Sequence, residues 1–158
     1  MASELLFDIS AVDLDQVAIS ADEVGRLNPQ CGEMRQLDHV IWVDNNGGRA
    51  LGVRYVRDDE FWVPLHIPGR PLMPGVLMIE SAAQLCSAFF QRFRTKQQRF
   101  LGFTRCDQTI FRGQVVPGDT LYLLSHELTS RPRRFVSQTQ GVVDGRLVFE
   151  SRITGMVM

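Results

Sequence analysis

The sequence lacks the features that mark membrane, secreted and nucleic-acid-binding proteins. No apolar run approaches the roughly 18 residues of a membrane span. The opening stretch MASELLFDIS has acidic residues and none of the basic ones that begin a secretory signal. The 17 basic and 18 acidic residues nearly cancel, so no nucleic-acid surface is indicated. We therefore expect a cytoplasmic protein that binds neither nucleic acid nor a membrane.

Cysteine is scarce, and the common motifs of cofactor and hydrolase sites are missing. Cys31, Cys86 and Cys106 are odd in number and have no metal-ligand spacing, which favours reduced thiols. The sequence contains no P-loop, no G-x-G-x-x-G and no cluster of metal-ligating residues. Without a G-x-S-x-G setting, a serine hydrolase is also not expected.

The most informative stretch is a rigid loop, residues 65–75, that carries His66. It holds three prolines and two glycines, namely Pro68, Pro71, Pro74, Gly69 and Gly75. Proline fixes the φ angle and glycine permits backbone angles that other residues avoid, so the loop should be stiff and have one defined shape.

A long apolar helix is predicted directly after this loop, from Val76 to about Phe93. It is apolar around most of its circumference, which is typical of a buried helix. Its polar residues are spaced by four, three and four positions and therefore share one face. They are Glu80, Gln84, Ser87 and Gln91.

The rest of the chain predicts one short helix and about six strands. Ser20 and Glu23 form a capping box that should begin a helix ending near Leu27. Strands are expected at 34–44, 49–57, 100–112, 121–128, 135–143 and 146–156, the last two joined by the two-residue turn Asp144-Gly145. Residues 1–19 are weakly patterned and form an extension of uncertain structure. We expect a single α+β domain over 1–158, with one antiparallel sheet wrapped around the long helix.

His66 and Glu80 are the candidate catalytic residues, although each has a structural alternative. A carboxylate on an apolar helix can have a purely structural role, paired with an arginine or hydrogen-bonded to its neighbours. An isolated histidine beside proline is often a packed or surface residue. Together they suit acid–base chemistry, because histidine accepts protons near neutral pH and an apolar environment makes a carboxyl group a better proton donor. Such a pair suits elimination of water or its reverse. Free N–H groups at Gly75-Val76 would polarise a carbonyl.

Other histidines and cysteines have simpler interpretations. His39 and His126 lie in strand-like stretches without a partner at useful spacing, so we interpret both as structural. Cys86 lies on the apolar helix and is expected to be a small core residue.

The motif H-I-P-G-R-P-L-M-P-G-V-L-M-I-E-S-A-A-Q resembles the active-site motif of the β-hydroxyacyl-acyl carrier protein dehydratases of the FabZ type. That family has H-F-P-x-x-P-x-M-P-G-V-x-x-x-E-A-x-A-Q, and the residues from His66 to Gln84 align in register. A second similarity is F-L-G at residues 100–102, then F-R at 111–112 and V-V-P-G-D at 115–119. The resemblance spans most of residues 20–158.

The resemblance implies a hot-dog fold and a homodimer, often assembled further into a trimer of dimers. The active site would lie between subunits, with the acyl chain in a tunnel beside the central helix on the phosphopantetheine arm of an acyl carrier protein. His66 would be the base at C2, Glu80 would handle the β-hydroxyl, and Gln84 would steady the site behind Glu80. The backbone at Gly75 and Val76 would bind the substrate's thioester. No metal or redox cofactor would be needed.

The chain departs from the family pattern around the base. The family's Gly-His-Phe-Pro is here Leu65-His66-Ile67-Pro68, Ser81 follows the acid in place of alanine, and residues 28–38 keep little of the family's early motif. These departures leave the acid–base pair intact and bear on chain length and on the pathway served.

The expected function is dehydration of (3R)-3-hydroxyacyl-acyl carrier protein to the trans-2-enoyl product in fatty acid biosynthesis. The alternatives are a hot-dog thioesterase, a specialised polyketide or lipid dehydratase, and a non-catalytic acyl-binding relative. Because acyl carrier proteins are acidic, arginines should steer them to the enzyme. The candidates are Arg112, Arg131, Arg133, Arg134 and the cluster from Arg92 to Arg99.

Overall fold

The computed structural model describes residues 4–158, in which one long helix lies against one six-stranded sheet. The first three residues of the N-terminal extension lie outside this range. The elements are α1 (Ala21–Leu27), a 3-10 turn (Gly32–Met34), β1 (His39–Asp44), β2 (Arg49–Tyr55), α2 (Gly75–Phe93), β3 (Leu101–Phe111), β4 (Thr120–Arg131), β5 (Arg134–Val143) and β6 (Arg146–Val157). All strand pairs are antiparallel in the order β1-β2-β4-β5-β6-β3. The predicted α+β hot-dog fold is confirmed.

Local turn and cap chemistry accounts for several element boundaries. The Ser20 hydroxyl accepts a hydrogen bond from the Glu23 N–H at 3.2 Å, as the capping box predicts, and α1 follows directly. Asp144 and Gly145 both have positive φ, 49° and 72°, as the tight turn between β5 and β6 requires.

Two predicted strand ends differ from the structure by three residues or more. β1 begins at His39 and not near Met34, because the Gln84 side chain on α2 hydrogen-bonds to the backbone of Met34 and Gln36 just before it. β4 continues to Arg131 and not to about Leu128, because it pairs with β5 up to Arg131 opposite Arg134. The hairpin turn there is correspondingly short.

The sheet has a core on each face. The larger core lies between the sheet and α2 and contains Leu85, Phe90 and Phe149, all fully buried. The smaller core lies on the opposite face, where Phe7 of the N-terminal extension packs over Leu51 and its neighbours. Residues 5–12 of the extension therefore cover part of the outer face of the sheet.

No helix within residues 4–158 is both long enough and apolar enough to span a membrane.

Candidate active site

The His66 loop is anchored on a buried tryptophan. The carbonyl of Trp62 accepts hydrogen bonds from the N–H groups of Leu65 at 3.1 Å and His66 at 2.8 Å, and its side chain is fully buried. A turn follows, closed by the Arg70 N–H bond to the Ile67 carbonyl at 2.9 Å, with Gly69 at φ 79°. The predicted stiff loop is thus built from a buried anchor and a tight turn.

Upstream of the tryptophan, a buried ion pair holds the incoming chain. One terminal nitrogen of Arg54, on β2, donates to both carboxylate oxygens of Glu60, at 2.6 and 2.7 Å. The two side chains are only 6% and 9% exposed. A buried pair of this kind fixes geometry, because losing either partner leaves an uncompensated charge.

One hydrogen bond determines which nitrogen of the His66 ring can act as a base. Nδ1 lies 2.7 Å from the carbonyl oxygen of Leu72. A carbonyl only accepts, so Nδ1 carries the proton and Nε2 keeps its lone pair. The ring is exposed, and Nε2 is available to a substrate.

The start of α2 presents free backbone donors. Pro74 occupies the N-cap position and provides no side-chain cap. Within the described residues, the N–H groups of Gly75 and Val76 have no acceptor, as expected for the first helical positions. The side chain of Val76 is 69% exposed, so this helix end faces outward.

Gly75 is required for a close contact within the chain itself. A Cβ at this position would lie 2.8 Å from the ring of Phe111 on β3. The two residues line a cavity of about 310 Å³ together with His66 and Val76. The predicted base and the predicted carbonyl-binding backbone therefore lie in one cavity.

Glu80 lies one helical turn further along α2 and is held by Gln84. The Gln84 amide nitrogen donates to Glu80 Oε1 at 2.8 Å and to the carbonyl of Met34 at 2.7 Å, and its oxygen accepts from the N–H of Gln36 at 2.9 Å. Gln84 is 2% exposed, so this amide is fully used in a buried setting. It leaves Glu80 Oε2 available.

Glu80 opens into a second, smaller cavity of about 80 Å³. Ala83 and Ser87 line it from the same face of α2, and Phe135 lines it from the sheet. No lining residue of this cavity belongs to the His66 cavity. Within one chain, then, the structure groups His66 with Gly75 and Val76, and Glu80 with Gln84, but leaves His66 and Glu80 in separate cavities.

The four residues of the predicted polar face of α2 have two different roles in the structure. Glu80 and Ser87 face the cavity, whereas Gln84 and Gln91 bind neighbouring backbone. Gln91 exchanges hydrogen bonds with the backbone of Arg99 in the exit after the helix.

Sequence reasoning assigned no role to the residues that support the site. Trp62, Leu72 and Phe111 position the His66 cavity, and Gln36 completes the network at Gln84. A tryptophan four residues before the motif histidine was a visible signal for the loop anchor. The role of the Leu72 carbonyl could not be predicted, because every residue has a backbone carbonyl and the sequence does not show which of them binds a side chain.

Two matching relatives are named 3-hydroxyacyl-[acyl-carrier-protein] dehydratase FabZ. That of Agrobacterium fabrum is 32% identical over 136 residues, 86% of this chain and 88% of the relative. That of Syntrophotalea carbinolica is 39% identical over 108 residues, 68% of this chain and 74% of the relative.

Solved structures share the fold at low sequence identity. The dehydratase heterocomplex ApeI:P from Xenorhabdus doucetiae gives a TM-score of 0.74 at 16% identity, covering 85% of this chain and 90% of that chain. A hypothetical thioesterase with coenzyme A from Streptococcus pneumoniae gives 0.59 at 10% identity, covering 76% and 84%. At these identities the similarity establishes the fold alone.

A family model described as the FabA-like domain matches residues 28–152. This range includes the His66 loop and α2, which line the two cavities. Together with the FabZ relatives, this match shows that the chain belongs to the FabA-like family and is a FabZ-type member of it.

Proposed function

We propose that this protein is a 3-hydroxyacyl-acyl carrier protein dehydratase of fatty acid biosynthesis that acts in the cytoplasm. It converts (3R)-3-hydroxyacyl chains to trans-2-enoyl chains, with His66 and Glu80 as its acid–base pair. The observation that carries the proposal is that each of these side chains is held by its own hydrogen bond with one atom left free, in a chain related to FabZ dehydratases.

The chemistry follows from the free atoms. His66 Nε2 removes a proton from C2, and the electron pair of that C–H bond forms the C2–C3 double bond. The C3–O bond breaks, and Glu80 gives its proton to the departing hydroxyl, which leaves as water. A proton then passes from His66 back to Glu80 through solvent. No metal or redox cofactor takes part in these steps.

The backbone at Gly75 supports the proton removal. Negative charge develops on the thioester oxygen as C2 loses its proton. The free N–H groups of Gly75 and Val76 lie at the positive end of the α2 dipole and in the same cavity as His66. They bind this oxygen and stabilise the charge where it appears.

The proposed active site is shared between two copies of the chain. His66 and Glu80 line separate cavities within one copy, so the reaction needs a second copy to bring them together. The strand β3 lies at an edge of the sheet, and Ile110 and Phe111 on it are 43% and 49% exposed. Pairing of β3 with its counterpart would bury this apolar edge and form the homodimer.

Subunit mixing tests both the roles and the sharing. His66→Ala and Glu80→Gln should each lower turnover of 3-hydroxybutyryl-acyl carrier protein by about 10²- to 10⁴-fold, the usual contribution of one acid–base group. Co-expression of the two variants should restore about a quarter of wild-type activity, because half of the dimers are mixed and each mixed dimer has one intact site.

The matched control co-expresses His66→Ala with the double variant His66→Ala/Glu80→Gln, which has no intact site in any pairing. Activity should remain absent there. An inactive first mixture, with all variants folded and dimeric, would contradict the shared site. Full activity of either single variant would contradict the assigned roles.

The partner that delivers the substrate is, in this proposal, an acyl carrier protein, and one groove suits it by charge. Lys96, Arg99 and Arg131 line a groove of about 520 Å³ at the end of α2. Within residues 4–158 these three side chains form no ion pair. Arg112, by contrast, is paired with Glu150 at 2.8 Å, which makes it a weaker candidate.

Charge reversal tests this partner surface. Arg99→Glu with Arg131→Glu should raise KM for acyl carrier protein substrates about tenfold or more at low salt, since unpaired surface charges steer association. The same thioester on a short pantetheine fragment should be turned over as before. Arg146→Glu, at the start of β6, is the matched control. Equal effects on both substrates would contradict the groove assignment.

A further inference from the structure

The cavity beside Glu80 is a small pocket that is partly open at the β3 edge, where its lining residue Phe103 is exposed. Ala83 and Ser87 follow Glu80 by one and two helical turns along one face of α2. The opposite wall comes from the start of β3 and the end of β6, residues 101–103 and 153–155. A chain attached to a carbon that reacts at Glu80 would extend toward Ser87.

Phe135 lies at the far end of this pocket. Its ring packs against Phe90 of α2, with ring centroids 5.3 Å apart. Phe90 follows Glu80 by ten residues, about 15 Å along the helix. Phe135 therefore lies beyond Ser87, on the side away from the reacting end.

The Phe135 ring is held in place on both sides. A Cβ at Gly155 would overlap the ring, so β6 contacts it through bare backbone. Phe90 packs on its other side and is fully buried, and Phe135 itself is 3% exposed. A ring packed in this way cannot swing aside without opening a void in the core.

The volume of the pocket indicates how much chain it accepts. An engineered cavity of about 150 Å³ holds the six carbons of benzene. A pocket of about 80 Å³ holds roughly half as much, about three carbons beyond the reacting β-carbon.

We infer that this protein is a short-chain dehydratase, with acyl chains of about four to six carbons as its substrates, and that Phe135 sets this limit. The inference rests on the proposed function and adds the substrate class of the same site. Longer chains would have to displace Phe135, and overpacking of a rigid core is unfavourable.

A panel of 3-hydroxyacyl-acyl carrier proteins with four, six, eight and twelve carbons tests the substrate class. We expect kcat/KM for four and six carbons to exceed that for twelve by about tenfold or more, since even one misfitting methylene in an apolar pocket changes this ratio by about 10- to 200-fold. Equal or better use of twelve carbons would overturn the inference and leave the dehydratase function intact. Absence of turnover with every chain would refute the proposed function, and the inference with it.

Substitutions of opposite effect test the role of Phe135. Phe135→Leu should raise the ratio of twelve- to four-carbon kcat/KM several-fold, because it lengthens the pocket. Ser87→Leu should shorten the pocket and lower the ratio of six- to four-carbon kcat/KM. Each effect is measured as the ratio of two kcat/KM values for the same variant. A general loss of folded protein lowers both values equally and leaves the ratio unchanged.

The matched control is Phe89→Leu. Phe89 is as buried as Phe135, 3% exposed, and lies on α2, but it lines neither cavity. It should cost similar stability and leave the chain-length ratios unchanged. If Phe135→Leu and Ser87→Leu both give the wild-type ratios, or if Phe89→Leu shifts them equally, Phe135 does not set the limit.

Discussion

The two edges of the sheet are built in opposite ways. At the β1 edge the preceding chain continues the ladder: the Val40 carbonyl accepts from the N–H groups of Ala18 and Ile19, and the Val40 N–H donates to Ile19. At the β3 edge an eleven-residue strand ends the sheet with apolar side chains exposed, among them Phe103 and Ile110. An open apolar edge of this length invites pairing with another chain.

The difference supports the proposal that each chain carries two halves of a shared site. The open strand β3 contributes Phe111 to the His66 cavity and Phe103 to the Glu80 cavity. Both cavities thus border the edge at which we propose that a second copy binds. The closed edge lines neither cavity. Its residues cap α1 and pair with β1 within the chain.

The largest effect should come from charging the open edge. Thr104→Lys with Ile110→Lys places a charge toward each end of β3, where pairing of like copies would repel. We expect a monomer, with activity lower by about 10³-fold because His66 and Glu80 no longer meet. Light scattering measures the mass, and the four-carbon assay measures the activity.

The control charges residues beside the closed edge. Leu14→Lys with Val17→Lys alters two exposed apolar positions just before the chain pairs with β1. Mass and activity should stay those of the wild type. A dimeric, active β3 variant would show that the copies associate elsewhere.

Thiol reactivity tests the same difference between the β1 edge and the β3 edge. Burial raises the pKa of Cys86 to about 12, so this thiol should be unreactive at pH 8. Cys31 and Cys106 are exposed in the single chain, but Cys106 lies in the middle of β3. In the dimer we expect one fast-reacting thiol, Cys31.

Mass spectrometry after timed alkylation distinguishes the three thiols. The charged β3 variant should show two fast thiols, and the unfolded chain should show three. Cys106 that reacts as fast as Cys31 in the native dimer would place β3 outside the interface.

The sequence predicted the parts of this comparison that depend on local chemistry. The Ser20 cap, the Asp144-Gly145 turn and the long helix each follow from residues close together in the chain. The start of β1 was misplaced because Gln84 binds the backbone of Met34 and Gln36 from about fifty residues away. Local patterns carry no information about such a contact.

The candidate site shows the same division. The motif identified His66, Glu80 and Gln84, and the hydrogen bond between Gln84 and Glu80 agrees with their spacing of one helical turn. The position of Phe135 at the far end of the Glu80 cavity could not be predicted, because it depends on packing between β5, β6 and α2. The packing of Phe7 on the outer sheet face was likewise hidden in a weak pattern.

A smaller effect is expected from the cap at the closed edge. Ser20→Ala removes the acceptor for the Glu23 N–H and should cost about 1 kcal/mol of folding free energy. For a chain of this size that lowers Tm by about 2–4 °C. Differential scanning calorimetry measures the shift, and the dimer mass should not change. Ser130→Ala, an exposed position on β4, is the control and should leave Tm unchanged within about 1 °C; an equal shift there would remove the cap from the explanation.

The smallest effect concerns a charge at the end of β1. The Gly47 N–H, at 2.9 Å, and the Arg49 guanidinium, at 2.6 Å, hold the pKa of Asp44 below its usual value of 3.8. A carboxyl group whose pKa is lowered by folding stabilises the fold above its unfolded pKa and loses that contribution as pH falls through the folded value. Asp44→Asn should therefore melt slightly below the wild type at pH 7, and the difference should shrink as the pH falls below the usual value of 3.8. A difference that persists unchanged at pH 2 would mean that the aspartate acts through its shape and its hydrogen bonds and not through its charge.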